Sequence, residues 1–510
     1  MTRPVLPPAP LPLWGAVLLA AAAGPVLDAG FPDKNLWPLT LVGIGLVLPT
    51  LIGRRAGGSF LVGLVAGVSF YLVHIGWATE FLGNVVPMVA LVTLESLFFA
   101  VGAICITLAY RWLPRVWPST VGRLLLLPVV VSGLWTAREA LVSVWPYGGF
   151  AWGRVALSQS ESPLASLFPW LGVSGVSFVM VAFVALVIEI VRAGRARGLV
   201  LSTVAVGVAS VILAVPAFPL AMDGSIRVAA VQGAGKAAYL DQREYGDLLA
   251  AQVDATQAIE DKKDVDVVLW PEGGTDIDPT QDPYASFVFD SIASEFDAPF
   301  ISGAITSEGD TTWNSSLLWI KGDGAVDKYN KRHPVPFGEY IPDRAIWRPF
   351  APDLIDLVQR EYTPGVTDSV FDLGDVIVGV NICFDIVDDQ LMTESVEDGA
   401  QVIFAQSNNA DFGRTDESVQ QLAIARVRAL ELGRSVVNIS TVGTSAIILA
   451  DGETLDQLEW YKPGSMVADV PTSSAITPAV AGGRQFEWLV SAFGLLVLLL
   501  GGASARRRHG

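Results

Sequence analysis

Three segments of the 510-residue chain carry residue types that together can break and remake an acyl bond. Val376–Ile382 is a β-rich run that leads into Cys383, followed by Phe384 and Asp385. Val267-Val268-Leu269-Trp270-Pro271 leads into Glu272, and Gly273-Gly274 permit a tight exit. Between them in sequence lies Tyr329-Asn330-Lys331-Arg332-His333-Pro334-Val335-Pro336-Phe337-Gly338-Glu339-Tyr340. A cysteine attacks carbonyls only as thiolate, so it needs a nearby proton acceptor or positive charge. A carboxylate shielded from water has a raised pKa, can take the thiol proton and can return it to a leaving group. A lysine ammonium, aided by a backbone N–H after the nucleophile, stabilises the oxyanion of the tetrahedral intermediate. Cys383 as nucleophile, Glu272 as general base and acid, and Lys331 at the oxyanion thus make a complete set for acyl transfer through a thioester. Taken singly, each has an ordinary alternative: a small core residue, a solvated strand end, a surface charge. Their joint appearance in one domain is what favours the chemistry.

The elements around them alternate. Strands are expected at Ile226–Gln232, Val265–Trp270, Pro299–Thr306, Ser315–Lys321, Val376–Ile382, Val402–Gln406 and Val436–Ser440. Helices are expected at Tyr245–Asp261, Tyr284–Phe296, Leu391–Asp398 and Val419–Leu432, with a turn at Asp451-Gly452. Such alternation predicts an α/β layered domain, in which reactive residues gather where strands give way to loops.

That domain is about half of the chain. Overall 52% of residues are hydrophobic and 16% charged, well below the usual quarter, which predicts a membrane component. Spans are expected at roughly 11–29, 36–53, 59–80, 87–110, 122–142, 165–191, 198–219 and 485–503, giving eight transmembrane helices. The domain boundaries follow: 1–221 with seven spans, 222–484 as the catalytic domain, and 485–510 with the eighth span and a basic tail. The middle part is strongly acidic within a chain of net charge −18, which disfavours a nucleic-acid partner. Arg54 and Arg55 follow span two, Arg111 and Arg115 span four, Arg192, Arg195 and Arg197 span six, and Arg506–Arg508 span eight. Counted with Arg3, this bias predicts both termini in the cytoplasm and the catalytic domain outside, on a multi-pass membrane protein. Cys105 lies in an apolar block, so Cys383 is expected to be an unpaired thiol. Glu95, Arg138 and Glu139, in or near spans, are expected to pair inside the bundle rather than mark a path.

The Glu–Lys–Cys order resembles the centre of the nitrilase superfamily, and the spans together with YNKRHPVPFGEYIP (329–342) resemble the apolipoprotein N-acyltransferase family. Further matching stretches are VAAVQG (228–233), WPE (270–272), NICFD (381–385), SNNADFG (407–413) and ARVRALELGRSVV (425–437). The resemblance implies an αββα sandwich, the roles given above for Cys383, Glu272 and Lys331, and Glu339 supporting the centre. It implies a ping-pong reaction from a membrane phospholipid to a diacylglyceryl-modified lipoprotein amino terminus, without metal or organic cofactor. Where the family commonly has Cys-Tyr-Glu, this chain has Cys383-Phe384-Asp385, so Phe384 and Asp385 are expected to support the site in altered form. Asp411 replaces an aromatic, Gln421 a frequent His, Pro334 a Leu, and Thr441-Val442-Gly443 an Asn-containing turn. Ile346–Val358 mixes apolar and charged residues and is read as a membrane-facing arm or as a packed surface segment. A tethered amidase with the same three residues, or a non-catalytic scaffold for lipoproteins, are the alternatives. Nothing argues against a monomer.

Overall fold

A computed structural model describes residues 9–507 except Leu82, Gly194 and Leu240; the side chains of 195–202 and 204 are likewise outside the described residues. Arg3, Arg508 and His509, and the side chains of Arg195 and Arg197, therefore fall outside what can be compared with the charge-based orientation. The chain divides into two compact units, one formed by the stretches 1–79, 85–218 and 481–510, the other by 80–84 and 219–480.

The first unit is helical: α1 (Leu13–Asp28), α2 (Pro38–Leu51), α3 (Ala56–His74), α4 (Val85–Val116), α5 (Leu127–Val142), α6 (Phe168–Arg192), α7 (Arg195–Leu213) and a C-terminal helix, Pro478–Arg507. Among the described residues, five helical segments are long and apolar enough to cross a bilayer: Ala56–His74, Val85–Val116, Gly122–Val142, Ala165–Arg192 and Pro478–Arg507. Of the other three expected spans, α1 and α2 are shorter helices, and α7, at 19 residues, lies partly outside the described side chains. α1 and α2 have 16 and 14 residues, so they rise about 24 and 21 Å, less than an apolar core of about 30 Å. α7 stops at Leu213 rather than near 219, ahead of Pro216 and Pro219, which cannot donate to a helix ladder. Arg138 and Glu139 do pair (3.2 Å), and Glu139 also accepts from Trp135 Nε1 at 2.8 Å and from the Val155 amide. Arg138 lies over the rings of Phe99 and Trp135. Glu95 is fully buried.

The second unit is a sandwich of two six-stranded sheets. The first has the order β12-β1-β2-β3-β4-β5, from β1 (Gly224–Gln232), β2 (Val267–Leu269), β3 (Phe300–Glu308), β4 (Thr311–Ile320), β5 (Gly324–Asn330) and β12 (Gly464–Thr472). The second has the order β11-β10-β9-β8-β7-β6, from β6 (Val370–Asp372), β7 (Ile377–Ile382), β8 (Val402–Ser407), β9 (Ser435–Ser440), β10 (Ala446–Ile448) and β11 (Thr454–Gln457). Each has a parallel trio at its centre, β1-β2-β3 and β7-β8-β9. Alternate residues of the trios, among them Val228, Ala230, Leu269, Val380, Ile382, Phe404 and Val437, meet in one buried core between the sheets. The opposite face of the first sheet is covered by α8 (Asp247–Gln257) and α9 (Pro283–Phe296). Short helices α10 (Arg344–Trp347) and α11 (Pro352–Ile355) lie between the sheets in sequence, and α12 (Asp389–Glu397) and α13 (Asp416–Leu432) pack on the second sheet, completing four layers.

Local chemistry explains the element ends. Asp282 caps α9 by accepting from the Tyr284 and Ala285 amides, with Pro283 preset in the first turn. Asp388 caps α12 through the Leu391 amide at 2.7 Å, and α13 ends at Gly433, whose φ of 65° suits a residue without Cβ. Of the five strands not expected from the sequence, β5, β6, β11 and β12 are sheet edges, and an edge has no continuous apolar run. Phe289 on α9 is fully buried, with the rings of Trp270, Phe300 and Trp319 at 5.8, 4.7 and 5.3 Å. Phe289→Ala should lower stability by about 3–5 kcal/mol. The check is the thermal midpoint of the full-length protein in detergent; an unchanged midpoint would contradict this packing.

Candidate active site

The parallel trios point the same kind of strand end at one place. β2 delivers Glu272 three residues after Leu269, β7 delivers Cys383 directly, β8 delivers Asn408 and β5 delivers Lys331. The Trp-Pro-Glu turn lies flat against β3: the Gly303 amide donates to Pro271 O at 3.2 Å, and a Cβ on Gly303 would sit 2.6 Å from Glu272 Cα. Only glycine allows that approach. Lys331 is held through its backbone, its N–H donating to Asn314 O and its carbonyl accepting from the Gly365 amide, both at 2.8 Å.

Lys331 is 1% exposed and has two carboxylates as partners, Glu339 at 2.8 Å and Glu272 at 3.4 Å. Asn314 joins the same pair, its Nδ2 donating to Glu272 Oε1 at 2.7 Å and to Glu339 Oε1 at 2.9 Å. The second oxygen of Glu272 accepts from the Asn408 amide at 2.7 Å, and that of Glu339 from the Val335 amide at 2.6 Å. Burial works against the Lys331 charge, but Glu339 and Glu272 outweigh it and hold the ammonium well above its usual range. Burial, opposed by Lys331 and reinforced by Glu339, raises the pKa of Glu272. Burial likewise pushes the Cys383 thiol up, with Glu272 adding to the effect and Lys331 opposing it. A thiol disfavoured as thiolate and a carboxylate of raised basicity acting on it would suit proton transfer during attack rather than a standing thiolate.

Cys383 has a φ of +50°, a strained value for a residue with a side chain. Asp385 holds that turn. It is fully buried and accepts from Tyr329 OH at 2.7 Å, from the His333 amide at 3.0 Å and from the Ile382 amide at 3.3 Å. One carboxylate thereby ties the cysteine turn to the lysine segment, and the shorter Asp reaches all three donors. Phe384 is half-buried beside the nucleophile. Asp411, the other acidic departure, accepts from the Tyr239 amide at 2.5 Å, and burial pushes its carboxyl up to about 6. Tyr239 OH in turn donates to Leu357 O in the Ile346–Val358 segment. That segment forms α10 and α11 around Phe337, which meets Trp347 edge-on at 5.8 Å, while Ile346 and Phe350 remain 59% and 80% exposed. Sequence reasoning missed Asn314, Asn408 and Glu417. Among the described residues no group of three or more His, Cys, Asp or Glu could hold a metal ion.

His333 offers a test of this arrangement. Burial opposes its charge, but the Asp385 and Asp388 carboxylates at 3.3 and 3.7 Å outweigh it and raise its pKa above 6.5. A raised folded-state pKa contributes stability that is full below the unfolded value and is lost as pH rises through the folded value. The thermal midpoint should fall over that interval, and His333→Asn should remove the dependence; a variant with the same pH profile as the parent would contradict it.

Two family models cover most of the chain: the apolipoprotein N-acyltransferase N-terminal domain matches residues 23–186, and carbon-nitrogen hydrolase matches 227–477. The apolipoprotein N-acyltransferase of Mycolicibacterium smegmatis is 31% identical, covering 94% of this chain and 84% of its own. That of Azotobacter vinelandii is 27% identical over 98% and 96%, and that of Photobacterium profundum 24% over 97% and 96%. Among solved structures, an amidase from Nesterenkonia sp. AN1 matches 48% of this chain and 93% of its own, with a TM-score of 0.37 and 18% identity. With both family models matched in order and one relative at 31% identity along nearly its whole length, the chain belongs to the apolipoprotein N-acyltransferase family.

Proposed function

We propose that this protein moves an acyl chain from a membrane phospholipid, through a thioester on Cys383, to the α-amino group of the S-diacylglyceryl cysteine that begins a lipoprotein. The observation that carries the reading is the convergence of Glu272, Lys331 and Glu339 in one buried cluster, with Cys383 at a strained turn inside its field.

In the first half-reaction the Cys383 sulfur attacks the ester carbonyl carbon while Glu272 takes the thiol proton. Lys331 stabilises the oxyanion, and on collapse the C–O bond breaks, the lysophospholipid alkoxide leaving with the proton from Glu272. In the second, the free amine attacks the thioester, Glu272 takes a proton from nitrogen, and the sulfur departs and is reprotonated. Glu339 and Asn314 hold Lys331 and Glu272 in place, and Asp385 with Phe384 supports the cysteine turn. No step calls for a metal or organic cofactor. Every group comes from one chain, so a monomer suffices.

The arginine bias supports eight crossings of the bacterial inner membrane, both termini cytoplasmic and residues 222–484 on the extracytoplasmic side. α1 and α2 then cross as short helices, for which local bilayer thinning compensates. Both substrates are held in the bilayer by their own acyl chains, so a tethered centre gains in effective concentration.

The test uses the full-length protein in detergent with a phospholipid carrying a labelled acyl chain. Label should be trapped on Cys383 and discharged by a diacylglyceryl peptide, with Cys383→Ser trapping none; Cys383→Ser protein that still acylates the peptide would overturn the nucleophile. Glu272→Gln should slow trapping by about 10²–10⁴-fold. Because burial raises the Glu272 pKa, the rate should fall as pH drops through a value above the ordinary carboxylate range; a limb within that range would exclude Glu272 as the base.

A further inference from the structure

A chain of polar side chains runs from Cys383 to α13 and the ends of β8 and β9. Gln421 on α13 is 2% exposed, and its Nε2 lies 3.7 Å from Cys383 Sγ. Its oxygen accepts from Asn409 Nδ2 at 2.6 Å. Asn409, 1% exposed, spends its other N–H on Glu417 Oε2 at 2.8 Å. Its own oxygen accepts from Ser440 Oγ at 2.6 Å and Ser407 Oγ at 3.3 Å.

These partners decide which way each amide faces. An amide has one acceptor oxygen and one two-proton nitrogen. Glu417 offers an acceptor and the two serines offer hydroxyl donors, so the Asn409 nitrogen faces Glu417 and its oxygen faces Ser440. The same nitrogen then meets Gln421, which must answer with its oxygen. The Gln421 nitrogen is left directed at the sulfur. Reversing Gln421 would set two donors face to face at Asn409 and a carbonyl oxygen against Cys383.

We infer that Gln421 is a further catalytic residue, a fixed N–H donor to the Cys383 sulfur, and that Asn409 and Glu417 are the positioning residues that aim it. The inference rests on Cys383 being the nucleophile. As negative charge develops on sulfur, at attack and again when the thioester collapses, the donor's hydrogen bond strengthens. That is a need this site has. Burial and the neighbouring Glu272 carboxylate disfavour the thiolate, and Lys331 is already committed to Glu339 and Glu272. A neutral donor favours the anion without adding a cation that would bind the two glutamates more tightly. Burial also pushes Glu417 up to about 8, opposed by its hydrogen bonds from Asn409 and Ser418, which fits a group whose task is alignment.

The test reads the sulfur directly. In full-length protein carrying Cys105→Ala, Cys383 is the sole thiol, and its alkylation by iodoacetamide is followed against pH. Gln421→Met keeps the volume and removes the N–H. It should move the alkylation midpoint up by about one pH unit and slow thioester formation about tenfold, with an unchanged KM for the diacylglyceryl peptide and an unchanged thermal midpoint. Gln421→Leu also removes the N–H without adding a charge, so it carries the same test should the Met variant not fold. Glu417→Gln should give a smaller shift of the same sign. An alkylation profile that overlays the parent's would overturn the inference, even if turnover falls. Retained transfer by Cys383→Ser would instead overturn the nucleophile, a separate outcome.

Discussion

Everything in the second unit answers to one constraint: a lysine ammonium buried with two carboxylates. Removing a charge from water costs several kcal/mol unless it is paired and hydrogen-bonded, and Lys331 is almost wholly enclosed. One cation cannot neutralise two anions, so Glu272 and Glu339 compete for it. Glu339 has the closer contact, 2.8 against 3.4 Å. Burial raises the basicity of Glu272, with Glu339 adding to the effect and Lys331 opposing it, and Glu272 lies at the strand end in the Cys383 field. On the proposed mechanism Glu339, with the closer lysine contact, is the supporting carboxylate and Glu272 the proton-transferring one. Asn314 keeps the asymmetry stable, since one amide nitrogen spans both carboxylates and the same residue's carbonyl holds the Lys331 backbone.

Holding such a cluster requires rigid elements rather than loops. The two parallel trios share a core, so shifting β2 against β7 would break the packing of Leu269, Ile382 and Phe404. Asp385 adds a hydrogen-bonded link between the halves, binding Tyr329 of β5 and the Ile382 amide of β7 with one side chain. The left-handed φ of Cys383 is sustained by those bonds: the turn is paid for by the capping carboxylate.

The parts legible in the sequence were those written in apolar runs or in compact motifs. The central strands ending at Leu269, Ile382 and Ser407, and the helices after them, have continuous apolar patterns because both faces are buried. Lys331 was read from its motif, although β5, the strand that delivers it, was not. That strand reads Gly-Ala-Val-Asp-Lys-Tyr-Asn, and most of it faces solvent at the sheet edge. Asn314 was illegible for a different reason. It sits in a run of polar residues on β4, and only pairing with β3 and β5 turns it toward the carboxylates. Gly303 gave no signal either, because a glycine needed for close approach looks like any other until the approaching chain is known. In the first unit, hydropathy runs past the ends of α1 and α2, since apolar residues flanking a helix count toward a window without lengthening the helix.

The burial that raises the thiol and Glu272 together also bears on why transfer can win over hydrolysis. A thioester held beside a base is exposed to any water the base can activate, so its lifetime depends on how little water reaches it. Here Glu272 accepts on one oxygen from Asn314 and Lys331 and on the other from the Asn408 amide, so most of its acceptor positions are engaged by the protein itself. An amine entering the site differs from water in bringing its own anchor, a lipid-modified chain whose binding orients the nitrogen at the carbonyl. On the proposed mechanism, selectivity for the acceptor comes less from a pocket for the amine than from a base with few open acceptor positions, which a positioned nucleophile engages.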